Sequence, residues 1–161
     1  MRLLMPAVDT LKACPLFKGF TDTGLQILAG IATERAFPKG VPLFVENMIG
    51  ESLFILAEGR VKISSKSPNG EDVFLGELGP GDYLGELALL QQSQRLCTAT
   101  AMSGVSAVEL RHADFQKLLA QKPQACLKLL MGIVTQFGAK VSENREAFKA
   151  LLLRPPGAVR G

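Results

Sequence analysis

The side chains best placed to do chemistry lie in one run, residues 81–100. In it Glu86 precedes Arg95 by nine positions, and Gly85 stands directly before Glu86. From Glu86 to Leu90 strand alternation is absent, and Ala88 with its leucines favours a short helix. A helix start offers backbone N–H groups without intrahelical partners, and together with the helix dipole these favour an anion. Gly85 has no side chain to obstruct a close approach. Arg95 follows after a polar loop, and its planar guanidinium can meet two phosphate oxygens at once. A carboxylate at Glu86 would repel that phosphate unless it accepts a hydrogen bond from a hydroxyl next door. The set is an anion cradle plus a hydroxyl acceptor, which suits a ribose cyclic phosphate. The competing reading is an ion pair between Glu86 and Arg95 with no ligand, and with the site empty the two are expected to pair.

Three zones position this run. Residues 7–32 read as helical. Asp22 is expected to cap a helix whose apolar face is Leu25, Ile27, Leu28 and Ile31. Pro15 breaks the preceding pattern, because the residue before a proline avoids helix. Residues 33–111 read as short strands, with runs at 41–45, 52–56, 61–64, 73–75 and 105–110 bounded by Gly, Pro, Asn and Asp. Asn69-Gly70 tolerates positive φ and suits a hairpin turn. Many short antiparallel strands predict a small β-barrel or jelly roll, so the fold class is mainly β with flanking helices. The helix at Glu86–Leu90 interrupts that pattern, and such a local break is where a site is expected.

Residues 113–153 read as helical. Asp114 opens a short amphipathic run through Phe115, Leu118 and Leu119. Pro123 then starts a longer helix, at a position where its missing N–H costs nothing. Leu127, Leu130, Val134, Phe137, Val141, Asn144, Phe148 and Leu151 step by three and four, a heptad seam of about three and a half repeats with Asn144 as its polar position. A second stripe, Cys126, Leu129 and Ile133, is expected to face the barrel. Two apolar faces suggest two partners, the domain itself and a second subunit. A broad stripe on one buried helix is the alternative. Residues 154–161 read as a frayed tail, so residues 1–153 are expected to form one domain.

The chain has 161 residues, about one domain, and is 47% hydrophobic, enough for an ordinary core. Its net charge of +3 is too small to suggest a nucleic-acid binder. From Arg111 onward nine basic side chains face three acidic ones. That segment suits an acidic partner or is simply a solvated helix face. Cys14, Cys97 and Cys126 are odd in number and far apart, and His112 is the only histidine. A disulfide framework, a zinc site and a cupin-type metal enzyme are thereby disfavoured, and buried free thiols in a reducing compartment are expected. The first ten residues carry no signal-peptide apolar region, and no apolar run reaches about 20 residues. A cytoplasmic protein without a membrane span is expected.

The run Gly85-Glu86-Leu87-Ala88-Leu89, followed by Arg95 and Thr98, resembles the phosphate-binding cassette of the cyclic-nucleotide-binding domain family. That family includes bacterial cAMP receptor proteins, protein kinase A regulatory subunits and nucleotide-gated channels. Cys14-Pro15-Leu16-Phe17 resembles the family's N-terminal entry, and Leu78-Gly79-Pro80-Gly81-Asp82 its turn before the cassette. The resemblance implies that Glu86 binds the ribose 2′-OH and Arg95 the cyclic phosphate, assisted by amides near Ala88 and Leu96. Gln94 stands where the family usually has Pro. Leu96, where a hydroxyl tends to accompany cGMP preference, implies cAMP over cGMP. Leu96 and Cys97 are bulkier than the family's small residues and would tighten the pocket. Phe137, Lys140, Val141 and Asn144 are candidates to cap the base, although Phe137 and Val141 suit seam packing as well and Lys140 a solvated surface.

The implied function is a cyclic-nucleotide sensor, with no cofactor beyond the ligand, that signals through the C-terminal helix to a homodimer partner or another protein. The alternative is a ligand-free interaction domain of the same fold. An enzyme is not expected, since His112 has no evident catalytic partner in the sequence. Family transcription factors carry a helix-turn-helix after the long helix. Gly161 leaves no room for one, so nucleic-acid binding by the chain itself is not expected.

Overall fold

The computed structural model describes residues 6–153. The expected tail at 154–161 and the first five residues lie outside them. The chain opens with helix α1 (Ala7–Ala13), a single 3₁₀ turn (Pro15–Phe17) and helix α2 (Asp22–Ile31). Pro15 ends α1, with Cys14 extended as its C-cap. The cap of α2 is Thr21 rather than Asp22: the Thr21 hydroxyl accepts the Gly24 N–H at 3.1 Å, and Asp22 is already helical. Asp22 instead contributes charge to the first turn, where the helix dipole favours an anion.

Ten strands follow: β1 (Thr33–Phe37), β2 (Pro42–Phe44), β3 (Ile49–Gly50), β4 (Ser52–Glu58), β5 (Val61–Lys66), β6 (Asp72–Leu78), β7 (Tyr83–Leu84), β8 (Ser93–Gln94), β9 (Thr98–Ala101) and β10 (Val105–Arg111). They do not close into a barrel. One antiparallel sheet runs β1-β10-β4-β7, a second runs β2-β9-β5-β6, and β3 pairs with β8 in a two-stranded ribbon. The β5–β6 hairpin turns at Asn69-Gly70 as expected, with positive φ at Gly70 alone.

Strand β4 shows why the first sheet is central. Side chains alternate across a strand, yet Ser52 to Ala57 are all buried. Leu53, Ile55 and Ala57 pack under the helices with Leu16, Leu25, Phe115 and Leu129. Phe54 and Leu56 point the other way, between the sheets, with Phe37, Val61, Ala99 and Ala107. The sheet therefore has a helical layer on one face and the second sheet on the other.

Helix α3 (Leu87–Leu90) sits between β7 and β8. Two further helices complete the layer, α4 (His112–Gln121) and α5 (Pro123–Glu143). Cys126, Leu129 and Ile133 are the buried stripe of α5. Gly132 lies on the 3₁₀ turn so closely that a Cβ there would overlap the Leu16 carbonyl oxygen. The long C-terminal helix is not continuous, contrary to the heptad reading. Asn144 leaves helical geometry at φ −111°, ψ 30°, and α6 (Arg145–Leu152) starts anew beyond it. The Asn144 side-chain amide donates to the Lys140 carbonyl at 2.9 Å. Such local bonding competes with the helix ladder. The seam residues Leu127, Val134 and Phe137 are exposed, as are Phe148 and Leu151 on α6.

Candidate functional site

The site is built where β7 hands over to α3 and where β8 leads into Arg95. Gly85 makes the turn after β7 with φ +82°, a conformation that glycine adopts without a Cβ penalty. Glu86 stands at the N-cap of α3. The helix is fixed from behind by His112, whose Nδ1 lies 2.7 Å from the Leu89 carbonyl oxygen and whose backbone N–H donates to Glu51 at 2.7 Å. The histidine without an evident partner in the sequence is thus a brace between α4 and the cassette. The Ala88 N–H, one of the amides implied for the anion, donates to the Gly85 carbonyl at 3.1 Å.

Arg95 is held by its backbone first. Its N–H donates to Met48 and its carbonyl accepts from Asn47, each at 2.8 Å. Arg95 as a residue is only 8% exposed, an uncommon setting for an arginine. Nη2 donates to the Ser52 carbonyl at 2.8 Å, and the guanidinium carbon lies 4.2 Å from the Phe44 ring centroid. Nε is buried with no hydrogen-bond partner. No carboxylate among the described residues makes an ion pair with it. Burial pulls the Arg95 pKa below its ordinary value, and the Cys97, Glu109 and Glu86 side chains oppose that shift. Glu109 is itself buried and already committed, accepting from the Ser52 hydroxyl at 2.6 Å and from Arg35 at 2.7 Å.

Glu86 does not pair with Arg95 as expected for an empty site. Its carboxylate is 3.5 Å from Lys140 Nζ on α5, and that ammonium lies 4.7 Å from the centre of the Tyr83 ring. Burial lowers the Lys140 pKa, but Glu86 and Tyr83 outweigh it and the net shift is upward. The cassette carboxylate is thus tied to the C-terminal helix and the guanidinium is left unpaired.

A cleft of about 180 Å³ opens over this arrangement, lined by Gly85, Glu86, Leu87, Ala88, Arg95, Leu96 and Cys97, together with Phe44, Ser93 and Gln94. All seven cassette candidates therefore share one cavity. The helix candidates do not. Phe137 is 55% exposed, and Val141 lines a separate groove with Arg145 and Phe148. Lys140 reaches the site only through Glu86 and Tyr83. Phe44 was not singled out from the sequence, since an aromatic residue in a short apolar strand reads as core. Cys14 and Cys126 are buried free thiols, but Cys97 is only half-buried in the cleft wall.

Antiparallel sheets with flanking helices, broken by the short helix α3 and followed by a buried arginine, define the architecture of this chain. The chain belongs to the cyclic nucleotide-binding domain family, whose model matches residues 34–122. It is similar to the crystal structure of the N-terminal domain of a transcriptional regulator from Streptomyces coelicolor A3(2). The two share 30% identity with a TM-score of 0.76, over 84% of this chain and 94% of that one. It is 28% identical over 113 residues to the cyclic AMP receptor protein of Thermus thermophilus, covering 70% of this chain and 52% of the relative. It is 29% identical over 122 residues to a CRP-like cAMP-activated global transcriptional regulator of Mycobacterium tuberculosis, covering 76% and 54%. The chain spans about half the length of these two curated relatives. Among the described residues no helix is long and apolar enough to cross a membrane.

Proposed function

We propose that this chain is a cytoplasmic sensor domain, without enzymatic activity, that binds a cyclic nucleotide in the cleft beside Arg95, cAMP in preference to cGMP. The observation that carries the reading is the state of Arg95: a buried side chain with an unpartnered Nε, on a residue that lines the cleft. A buried charge is costly unless it is paired, and a cyclic phosphate in the cleft supplies the missing partner. Glu86 accepts from the ribose 2′-OH. Gly85, Leu87, Ala88, Leu96 and Cys97 form the walls. Leu96 offers no hydroxyl after the arginine, which favours cAMP. The two curated relatives carry cyclic AMP in their names, which supports the same choice.

Occupancy is reported through α5. Ligand engaging Glu86 alters what Lys140 can hold, and differential affinity for two positions of α5 shifts the population between them. In this reading Phe137, Lys140 and Val141 meet the base only after α5 moves. The exposed apolar face at Leu127, Val134 and Phe137 favours a homodimer through this helix. No direct contact with nucleic acid is assigned to residues 6–153, which act as one unit. The alternative, an interaction domain that binds no nucleotide, rests on that same face.

Titration calorimetry with cAMP and cGMP, on wild type and Arg95→Ala, tests the reading. Wild-type binding that Arg95→Ala weakens at least a hundredfold supports it. Equal affinity in the two proteins rejects the phosphate site. No binding and no thermal stabilisation at millimolar nucleotide favours the interaction domain.

A further inference from the structure

We infer that Gly50, outside the cassette, is a positioning residue of the nucleotide site: the space its absent side chain leaves is the space the Arg95 guanidinium occupies. The inference deepens the proposed function and rests on it for the affinity arm of the test.

Gly50 is buried and lies in the two-residue strand β3, opposite Ser93 of β8. Its φ is not among the positive values of the described residues, so its backbone does not call for glycine. The requirement is one of space. A Cβ built on Gly50 would stand 2.6 Å from Arg95 Nε, 2.7 Å from Cζ and 2.9 Å from Cδ. Carbon and nitrogen atoms without a bond between them do not approach that closely, so a methyl there displaces the guanidinium. The contact falls on Nε, the nitrogen that has no partner and is proposed to meet phosphate.

The guanidinium has little room to yield. A Cβ on Gly85 would overlap Nη1 on another side and stand 2.6 Å from the Ser52 carbonyl oxygen. The Phe44 ring packs against Cζ, and Ser52 accepts from Nη2. Two glycines, one ring and one carbonyl therefore form a sleeve around a single planar group. Gly85 belongs to the cassette and is visible as such in the sequence. Gly50 comes from β3, the strand paired with β8, and completes the sleeve from outside the cassette.

Relief of a Gly50→Ala clash requires that Arg95 leave its place. The fold survives, because the contact is to the end of one side chain and alanine suits a strand at least as well as glycine. Phosphate affinity does not survive, because an error of about 1 Å in a positioned group is already costly.

The experiment measures Gly50→Ala, Arg95→Ala and the double variant in the full chain. Three readouts are used: cAMP affinity by calorimetry, the Arg95 Nε–H resonance by nitrogen-15 NMR, and Tm. The expected result is at least a tenfold loss of cAMP affinity in Gly50→Ala and a moved or exchange-broadened Arg95 Nε–H signal. Any fall in Tm caused by Gly50→Ala should vanish in the Arg95→Ala background. An unchanged Nε–H signal with affinity within twofold of wild type overturns the proposal. So does an equal fall in Tm in both backgrounds, which would place the clash on backbone. If Gly50→Ala fails to fold, the double variant decides: folding as well as Arg95→Ala supports the proposal, and failure to fold overturns it. Absence of cAMP binding in wild type removes the proposed function, while the resonance and the Tm comparison still judge Gly50.

Discussion

Glu86 and Lys140 are joined across 54 positions of sequence, with 3.5 Å between carboxylate oxygen and ammonium, while Arg95 stands unpaired beside them. The two charges that a reader of the sequence would join are kept apart. A direct Glu86–Arg95 bond would occupy both ligand groups with each other. Here the carboxylate is held by a partly exposed lysine, a weak and replaceable partner, and the guanidinium by a neutral carbonyl.

Arg95→Met is therefore expected to separate binding from stability. It removes the charge-assisted bonds to phosphate, each about 1.5–3 kcal/mol, and should weaken cAMP at least a hundredfold. It also removes a buried unpaired cation at similar volume, so Tm should stay level or rise by a few degrees. Calorimetry and thermal unfolding of the same preparation check both. A large fall in Tm would show that the guanidinium stabilises the empty fold.

Stability should decline at alkaline pH. Burial pushes the Cys14 thiol up from 9.0 to about 12, so the fold holds the neutral form. Above pH 9 the unfolded chain ionises at this position and the folded chain does not. Stability then falls by up to about 1.4 kcal/mol per pH unit until pH approaches 12. Lys140 acts in the same direction. Its folded pKa is raised above 10.5, so its contribution is complete below that value and is lost as pH rises through the folded value. Urea midpoints at pH 7, 9 and 10.5 should fall in wild type and fall less in Cys14→Ala. Parallel slopes in the two proteins would contradict the assignment.

One thiol of three should react with a maleimide in the folded protein. Cys14 and Cys126 are 2% and 0% exposed, whereas Cys97 lines the cleft. Burial raises the Cys97 pKa, with Glu46 adding to it, so reaction should be slow at pH 7 and accelerate with pH. Saturating cAMP should protect it at least several-fold. Mass spectrometry of the labelled peptide reads the result, and unprotected labelling at Cys97 with ligand bound would place the nucleotide elsewhere.

Val134→Glu and Phe137→Glu test the dimer. Both side chains are exposed, at 69% and 55%, so neither change should unfold the protein. Sedimentation should show dimer in wild type and monomer in both variants, with Tm within a few degrees for the monomeric fold. A monomeric wild type would remove the homodimer from the proposal.

The cassette was legible because its signals are local. Gly85 marks a backbone reversal, Glu86 and Arg95 keep a fixed step, and the stretch between them breaks strand alternation. The strand region was legible for a similar reason, since glycine and proline bound each run. Contacts between distant segments were not legible. Phe44, Gly50 and Ser52 converge on Arg95 from separate strands, and nothing in their neighbours marks them as anything but sheet. The Asn144 break was hidden because apolar spacing continues through it, and an asparagine there reads equally well as the polar position of a continuous seam. Thr21 and Asp22 are adjacent good caps, and only backbone geometry decides between them.

The seat of Gly132 on the Leu16 carbonyl sets how α5 can travel. A rod pressed that closely onto another piece of backbone does not slide along it without parting, but it can rock. Under the proposed signalling through α5, Gly132 is the fulcrum and the remainder of α5 the arm. Lys140 stands eight residues out, about 12 Å along the axis. A tilt of about 10° carries it sideways by about 2 Å, enough to let go of Glu86.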